Sequence, residues 1–367
     1  MIIYVVFFVI TIIFGLTFSQ QSIIVEKLLV FMLIFYLFFI TAWRNYNVGT
    51  DTSNYVSFFG YLGSSYTKIN FFDLISMFHA RFEYGYVLLN KMVFYFTDDP
   101  RWLIIVCSLI SYYLLLIFVK NLSSDPYLLL VMFVSLGYLA STMNTMRQGV
   151  AASFIMIAYV MLLKRSNVMF CIFFVFCAFL FHKTALLFLL AIAFRKWEYS
   201  KKSSAIILIA SVGVAIIYGS FESLINQINY TDYADSGIRS GYLGIILNIF
   251  LLIFFLIVGL VANKQKKIDV KPEDRYIRIR NSDILPILIT ISIGVYIVSF
   301  NFSQLTRIAS YFEIAALIYI PNSLKFIKDV KLKILLTMST YAISLIYFFT
   351  ILILRPTWTN IIPYSFG

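Results

Sequence analysis

The stretch that decides the fold is YLGIILNIFLLIFFLIVGLVA, residues 242–262, which contains no charged side chain. An α-helix of this length rises about 30 Å, which matches the hydrocarbon core of a bilayer. Comparable apolar runs recur from residue 2 to residue 354. The sequence therefore predicts an all-α, polytopic integral membrane protein.

The composition agrees with a membrane protein. Of 367 residues, 61% are hydrophobic and 13% are charged, whereas soluble proteins average about 45–50% apolar and 25% charged residues. The 29 basic and 17 acidic residues give a net charge of +12. Because the basic residues lie in short clusters between apolar runs, they indicate topology, and nucleic-acid binding is not expected.

About twelve transmembrane helices (11–13) are predicted. The candidate spans are 2–18, 28–43, 102–119, 127–143, 148–163, 167–181, 184–194, 204–220, 242–262, 284–300, 307–321 and 334–354. The first lacks a basic segment before it, so we expect a retained helix rather than a removed signal peptide. Residues 184–194 are short and predict a tilted or broken span. Residues 83–96 are short and carry polar side chains, so we expect a re-entrant or interfacial helix.

The positive-inside rule assigns the two sides of the membrane. Dense basic loops, including 263–283, fall on one side and are predicted to be cytoplasmic. Residues 44–101 and 221–241 then form outer loops of a single transmembrane domain, 1–367. Seven of the ten outer basic residues are arginine, against five of nineteen inside. Since a guanidinium binds phosphate or carboxylate bidentately, this bias favours an anionic ligand outside, unless it reflects chance or anchoring at helix ends.

Several classes of site are disfavoured. The three cysteines lie inside apolar runs, so no disulfide framework is expected. His79 and His182 are too few and too far apart for a multi-histidine metal site, and no glycine-rich nucleotide motif occurs. No metal and no cofactor are therefore predicted.

Candidate site residues lie at the outer ends of predicted spans. Arg44 could bind an anion and Asp51 could act as a base, although residues 49–55 also fit a tight turn followed by an N-cap. Arg147 and Gln148 enter an apolar helix at its start, where backbone N–H groups favour anions; the alternative is an interface anchor. His182 and Arg307 also lie at such ends, and a lone histidine is often structural.

Five short motifs, in this order along the chain, resemble the pattern of the EpsG family within the Wzy-type polysaccharide polymerases. They are Arg44-x3-Val48-Gly49-Thr50-Asp51-x3-Tyr55, Met146-Arg147-Gln148-Gly149-Val150-Ala151, Phe181-His182-Lys183-Thr184-Ala185-Leu186, Thr306-Arg307-x3-Tyr311-Phe312 and Asn360-x2-Pro363-Tyr364. The resemblance covers nearly the whole chain, and it rests on the joint order and spacing of the motifs.

The resemblance implies a metal-independent membrane glycosyltransferase. It would join undecaprenyl-pyrophosphate-linked oligosaccharide repeats, as donor and acceptor, at the outer face of the bacterial inner membrane. A flippase and a chain-length regulator of the same pathway are its expected partners. Two alternatives to a polymerase are compatible with the sequence: an O-antigen ligase that uses the same donor, and a non-enzymatic transporter or flippase.

In this interpretation each candidate residue has a role. Asp51 is the preferred base and His182 the second choice. The other candidates are assigned to binding of the pyrophosphate or glycan, namely Arg44, Arg147, Gln148, Arg307, Tyr55 and Tyr311. The arginines would stabilise the charge of the leaving pyrophosphate.

The predicted topology can be tested by cysteine labelling. A cysteine introduced at Ser64, in the predicted outer loop 44–101, should react with a membrane-impermeant reagent in intact cells, because no basic cluster holds this loop inside. Cysteines introduced at Ser200 and Lys328, in predicted cytoplasmic loops, serve as controls and should react only after the cells are opened. Labelling of Ser64→Cys only in opened cells would mean that residues 83–96 cross the membrane.

Overall fold

The computed structural model describes residues 1–17, 22–65, 82–164, 168–228, 242–264, 279 and 282–367, without the side chains of 63–65 and 218–228. Regular structure in these ranges is helical, apart from an isolated β-bridge between Arg44 and Phe366. The predicted all-α class is confirmed for this part of the chain. Its helices divide into two compact units, Met1–Leu189 with Tyr341–Gly367, and Leu190–Thr340.

The first unit contains the N-terminal helices and the C-terminal segment. Its α-helices are α1 (Ile2–Thr17), α2 (Ile23–Ala42), α3 (Thr52–Ser65), α4 (Tyr84–Phe96), α5 (Arg101–Leu122), α6 (Pro126–Ser135), α7 (Tyr138–Met143), α8 (Met146–Leu163) and α9 (Val168–Phe179), followed by a 3₁₀-helix over Lys183–Leu189. Helix α8 packs against α5 and α9, α5 also packs against α2, and α1 packs against α6. The starts of α3, α4 and α8 meet around a cluster of aromatic and aliphatic side chains.

The second unit is built around a buried helix. It contains α10 (Leu190–Ala193), a 3₁₀-helix at Phe194–Lys196, α11 (Lys201–Ile228), α12 (Tyr242–Lys264), α13 (Ile284–Val298), a 3₁₀-helix at Ser303–Leu305 and α14 (Thr306–Lys325). Helix α15 (Val330–Leu354) begins in this unit and ends in the first, and α16 (Pro356–Thr359) follows it. Helix α14 is buried over most of its length and packs against α12 and α13.

Five of the described helices are long and apolar enough to cross a bilayer, namely α2, α5, α8, α12 and α15. Four shorter helices are also strongly apolar: α1, α6, α9 and α13. Together these helices indicate a multi-pass membrane protein. The figure of twelve spans stays a prediction, because length and hydropathy support only five spans among the described residues.

The predicted span 127–143 is not one continuous helix. It is divided into α6 and α7 at Gly137, whose φ of 84° lies in the left-handed region that favours glycine. The residues on both sides of the break are largely buried. Irregular backbone at membrane depth is tolerated where protein surrounds it, so the break is compatible with a membrane location.

Two other segments differ from the simple span pattern. Residues 183–196 form 3₁₀ and short α-helical pieces, which agrees with the prediction of a tilted or broken span over 184–194. Helix α11 continues to Ile228, eight residues beyond the predicted span 204–220 and into the predicted outer loop 221–241. Residues 221–228 contain no glycine or proline, and a fall in hydropathy marks the end of an apolar run without ending a helix.

The segment predicted as re-entrant or interfacial forms α4, 13 residues long. At 1.5 Å per residue this helix is about 20 Å long and is too short to cross a core of about 30 Å. One face is buried through Tyr86, Val87 and Asn90, and apolar side chains such as Met92 and Tyr95 are exposed on the other. The helix therefore packs against the protein on one face and exposes apolar side chains on the other.

Part of the predicted topology falls outside the described residues. Residues 66–81 of the outer loop 44–101, residues 229–241 of the loop 221–241, and most of the basic loop 263–283 belong to this part. The sidedness of the loops and the single transmembrane domain stay predictions.

Candidate functional site

Arg44 follows the C-terminal end of α2 and is completely buried. Its guanidinium donates hydrogen bonds to the carbonyls of Thr41 (2.5 Å), Met143 (2.8 Å) and Val48 (3.3 Å) and to the hydroxyl of Thr52 (3.4 Å). Burial lowers the pKa of Arg44 to about 10, so the side chain remains charged at neutral pH. Arg44 thus connects the end of α2, the following loop and the end of α7, and this arrangement gives it a structural function.

Gly49 lies at the closest approach of this loop to α7. Its φ is 91°, and an added Cβ would collide with the carbonyl of Met143. Its amide donates to the carbonyl of Asn360 at 2.9 Å. Glycine is therefore required here both by backbone conformation and by space.

The C-terminal segment, residues 360–365, forms hydrogen bonds with the loop between α2 and α3. The amide of Asn45 donates to the carbonyl of Ser365 at 2.9 Å, and the side chain of Asn360 donates to the carbonyl of Asn47 at 3.0 Å. The hydroxyl of Tyr364 donates to the carbonyl of Ile40 at 2.8 Å. The first and last sequence motifs, more than 300 residues apart, therefore form one substructure.

Asp51 lies immediately before α3 and is half-buried. Its amide donates to Oδ1 of Asn144, at the connection between α7 and α8, at 3.1 Å. The side chain of Asn144 in turn donates to the carbonyl of Trp358 at 3.4 Å. The predicted base is thereby placed beside the start of the helix that carries Arg147.

Arg147 lies in the first turn of α8 and is held by one carboxylate and three aromatic rings. Its Nη1 donates to Oε2 of Glu83 in an ion pair. The guanidinium carbon lies 4.8 Å from the ring centre of Phe82, 5.8 Å from that of Tyr86 and 6.0 Å from that of Tyr55. The side chain is 21% exposed. Aromatic faces favour a cation, so the guanidinium is positioned in an enclosed but accessible place.

Glu83 precedes α4, is buried, and uses its two carboxylate oxygens differently. Oε2 accepts from Arg147, whereas Oε1 lies 3.3 Å from Nδ1 of His182 and accepts from the amide of Lys183 at 3.4 Å. Burial alone would raise the pKa of Glu83, but the hydrogen bond to His182 and the charge of Arg147 outweigh this effect and hold the pKa below its usual range. Glu83 is therefore ionised at neutral pH.

The first unit thus brings together predicted site residues from distant parts of the sequence. Arg147, His182 and Tyr55 share the environment of Glu83, and Gln148 is half-buried next to Arg147 in the chain. We define this group, Tyr55, Glu83, Arg147 and His182, as the charged cluster. Within the described ranges, no group of three His, Cys, Asp or Glu side chains could hold a metal ion.

Glu83 is absent from the residues that the sequence predicts for the site. Its polarity contributes only to the prediction that residues 83–96 do not span the membrane. The available signal was an isolated carboxylate at the start of an apolar helix, where a buried charge needs a partner.

Arg307 and Tyr311 belong to the second unit. Arg307 is half-buried in the first turn of α14, and no described residue accepts a hydrogen bond from its guanidinium. Tyr311 is fully buried one turn further along. Two residues later in the chain, Glu313 accepts a hydrogen bond of 2.7 Å from the hydroxyl of Tyr296. The charged cluster, by contrast, belongs to the first unit.

The fold and the candidate site are those of a multi-pass helical membrane protein with arginines at helix starts and a buried ion pair in its first unit. The family pattern of EpsG matches residues 27–366, and the chain belongs to the EpsG family. This is a membrane protein family linked to polysaccharide biosynthesis. Comparisons with curated proteins and with solved structures gave no significant match.

The structural function of Arg44 can be tested by Arg44→Lys. Lysine keeps the charge, but its ammonium cannot reach all four acceptors, and each buried carbonyl left without a donor costs about 1–3 kcal/mol. We expect a lower thermal unfolding midpoint for the purified protein in detergent. Arg355→Lys is the matched control, since the Arg355 guanidinium lies against the Trp358 ring, 5.4 Å from its centre. Equal midpoints for both variants would contradict this function of Arg44.

Proposed function

We propose that this protein polymerises undecaprenyl-pyrophosphate-linked oligosaccharide repeat units into a bacterial surface polysaccharide, at the outer face of the cytoplasmic membrane. Membership of the EpsG family supports a place in polysaccharide biosynthesis. The lipid-linked glycan is donor and acceptor, and a flippase and a chain-length regulator act in the same pathway.

The observation that carries the proposal is the convergence of the sequence motifs in the first unit. The segment 44–55 contacts both 143–144 and the C-terminal residues 360–365. Tyr55 then faces Arg147, which is joined to His182 through Glu83. Four of the five motifs are therefore joined by continuous contacts, and the cation, carboxylate and imidazole among them support the proposal of a site here.

The reaction divides into bond formation and release of the leaving group. A hydroxyl of the acceptor glycan attacks the anomeric carbon of the donor glycan and forms the new glycosidic bond. The bond from that carbon to the pyrophosphate oxygen breaks, and undecaprenyl pyrophosphate leaves with the electron pair. The hydroxyl proton passes to a base.

The structure favours His182 over Asp51 as this base, because His182 shares Glu83 with Arg147. A carboxylate on one imidazole nitrogen leaves the other as the basic one. Asp51 borders the same site and stays the alternative, which Asp51→Asn would test.

Arg147 is the proposed cation for the leaving pyrophosphate. It lies in the first turn of α8, where the backbone N–H groups and the helix dipole also favour an anion. In the second unit, Arg307 has the corresponding place at the start of α14 and is proposed as a cation for phosphate oxygens, with Tyr311 as a further candidate contact. Gln148, next to Arg147 in the chain, is a further candidate contact in the first unit. Arg44 is left out of this role because protein oxygens already surround its guanidinium.

The proposal predicts a specific cellular phenotype. Deletion of the gene should leave surface glycan with single repeats and no ladder, because repeat synthesis and export continue without polymerisation. Arg147→Lys and Arg307→Lys should fail to restore the ladder at normal protein levels, since lysine lacks the bidentate fork. Loss of one such charge-stabilising donor lowers the rate by about a hundredfold or more.

Arg355→Lys provides the control and should restore a wild-type ladder. Wild-type ladders from both Arg147→Lys and Arg307→Lys would contradict the proposed roles of the two arginines. In the deletion strain, complete loss of transferred glycan would favour a ligase, and lipid-linked repeats retained on the cytoplasmic leaflet would favour a flippase.

A further inference from the structure

Glu83 joins three segments that are far apart in sequence: the start of α4, the start of α8 and the turn after α9. One carboxylate oxygen binds Arg147, and the other binds His182 and the amide of Lys183. A second contact joins the start of α4 to the turn after α9, because the amide of Gly85 donates to the carbonyl of Leu180 at 2.8 Å. An added Cβ at Gly85 would lie 2.7 Å from Cβ of Leu180. The backbone thus places Glu83 firmly beside His182.

We infer that Glu83 is a positioning residue that holds the cation and the base of one site in fixed relation. For the reaction itself, this inference rests on the proposed function. Glu83 acts through Arg147 and His182 and is not itself assigned a contact with the substrate.

The effect on Arg147 is to restrict a long side chain. An arginine has many rotamers, and an ion pair combined with contacts to Phe82 and Tyr86 selects one region for its guanidinium. A guanidinium has five N–H donors, so pairing with one carboxylate oxygen is compatible with anion binding. The low-dielectric aromatic surroundings strengthen the ion pair.

The effect on His182 is to select a tautomer. A carboxylate near Nδ1 favours the proton on that nitrogen and makes Nε2 the basic nitrogen. The same carboxylate stabilises the imidazolium that forms when His182 accepts a proton. The charged and titratable groups around Glu83 are Arg147 from α8, His182 and Lys183 from the turn after α9, and Tyr55 and Tyr86, whose rings face Arg147.

The test compares Glu83→Gln with Glu83→Asp and with Asp125→Asn, in purified protein that acts on a synthetic lipid-linked repeat. Asp125 caps α6 by accepting from the amide of Leu128 at 3.1 Å, so it controls for loss of a structural carboxylate. Glu83→Gln should lower kcat by about a hundredfold, with a much smaller change in KM. It should also move the acidic limb of the rate profile to lower pH, because the imidazolium loses its counter-ion. Asp125→Asn should move neither quantity, and Glu83→Asp, which keeps the charge, should recover part of the rate.

A second measurement does not depend on the reaction. The chain has two histidines, so ¹⁵N-histidine NMR of a His79→Ala protein reports His182 alone. We expect the proton on Nδ1 when Glu83 is present, and a shift towards the Nε2–H tautomer in Glu83→Gln. If Glu83→Gln does not fold, Glu83→Asp is measured instead. This variant keeps the carboxylate and should retain the original tautomer.

The outcomes separate the two proposals. A wild-type protein that forms no polymer contradicts the proposed function, and the tautomer then decides the positioning role by itself. An active wild-type protein whose Glu83→Gln variant keeps its kcat, pH profile and tautomer overturns the inference alone. A lower KM with unchanged kcat in Glu83→Gln also overturns it, because Glu83 would then compete with the anion for Arg147.

Discussion

The arrangement of the first unit depends on the hydrogen bonds that the buried guanidinium of Arg44 donates. Three chain segments lose regular structure here: the end of α2, the loop at Gly49 and the end of α7. Their carbonyls lack helical partners, and a protein interior offers little water to replace them. The guanidinium of Arg44 supplies donors to all three segments. The loop is thereby fixed relative to α8, which carries Arg147.

Glu83 is a second buried charged group that holds chain segments together. An ionised carboxylate in a buried place is unfavourable unless charged or hydrogen-bonding partners surround it. Arg147, His182 and the Lys183 amide supply these partners. The two buried charged centres differ in their consequence: backbone carbonyls use the donors of Arg44, whereas Glu83 brings two side chains with chemistry of their own to one place.

The sequence predicts the helical class and most helix positions because hydropathy over a long window is a strong signal. It does not predict the break at Gly137, since a glycine inside an apolar run is also common in unbroken helices. Arg44 and Arg147 resemble each other in sequence, as both stand at the edge of an apolar run. Only the three-dimensional arrangement distinguishes them, because the acceptors of Arg44 include the carbonyl of Met143, about 100 residues away. Glu83 was missed for the same reason, since its partners lie 64 and 99 residues further along the chain.

The pairing of Asn47 with Asn360 has a consequence for biosynthesis. The two residues are separated by 313 positions, and the loop that begins at Arg44 is complete only when both are present. At about 5–20 residues per second, a ribosome needs about 15–60 seconds to synthesise the intervening chain. The early helices are therefore synthesised before this loop can be completed, and the contacts of Asn360 with the loop form as a late step of folding.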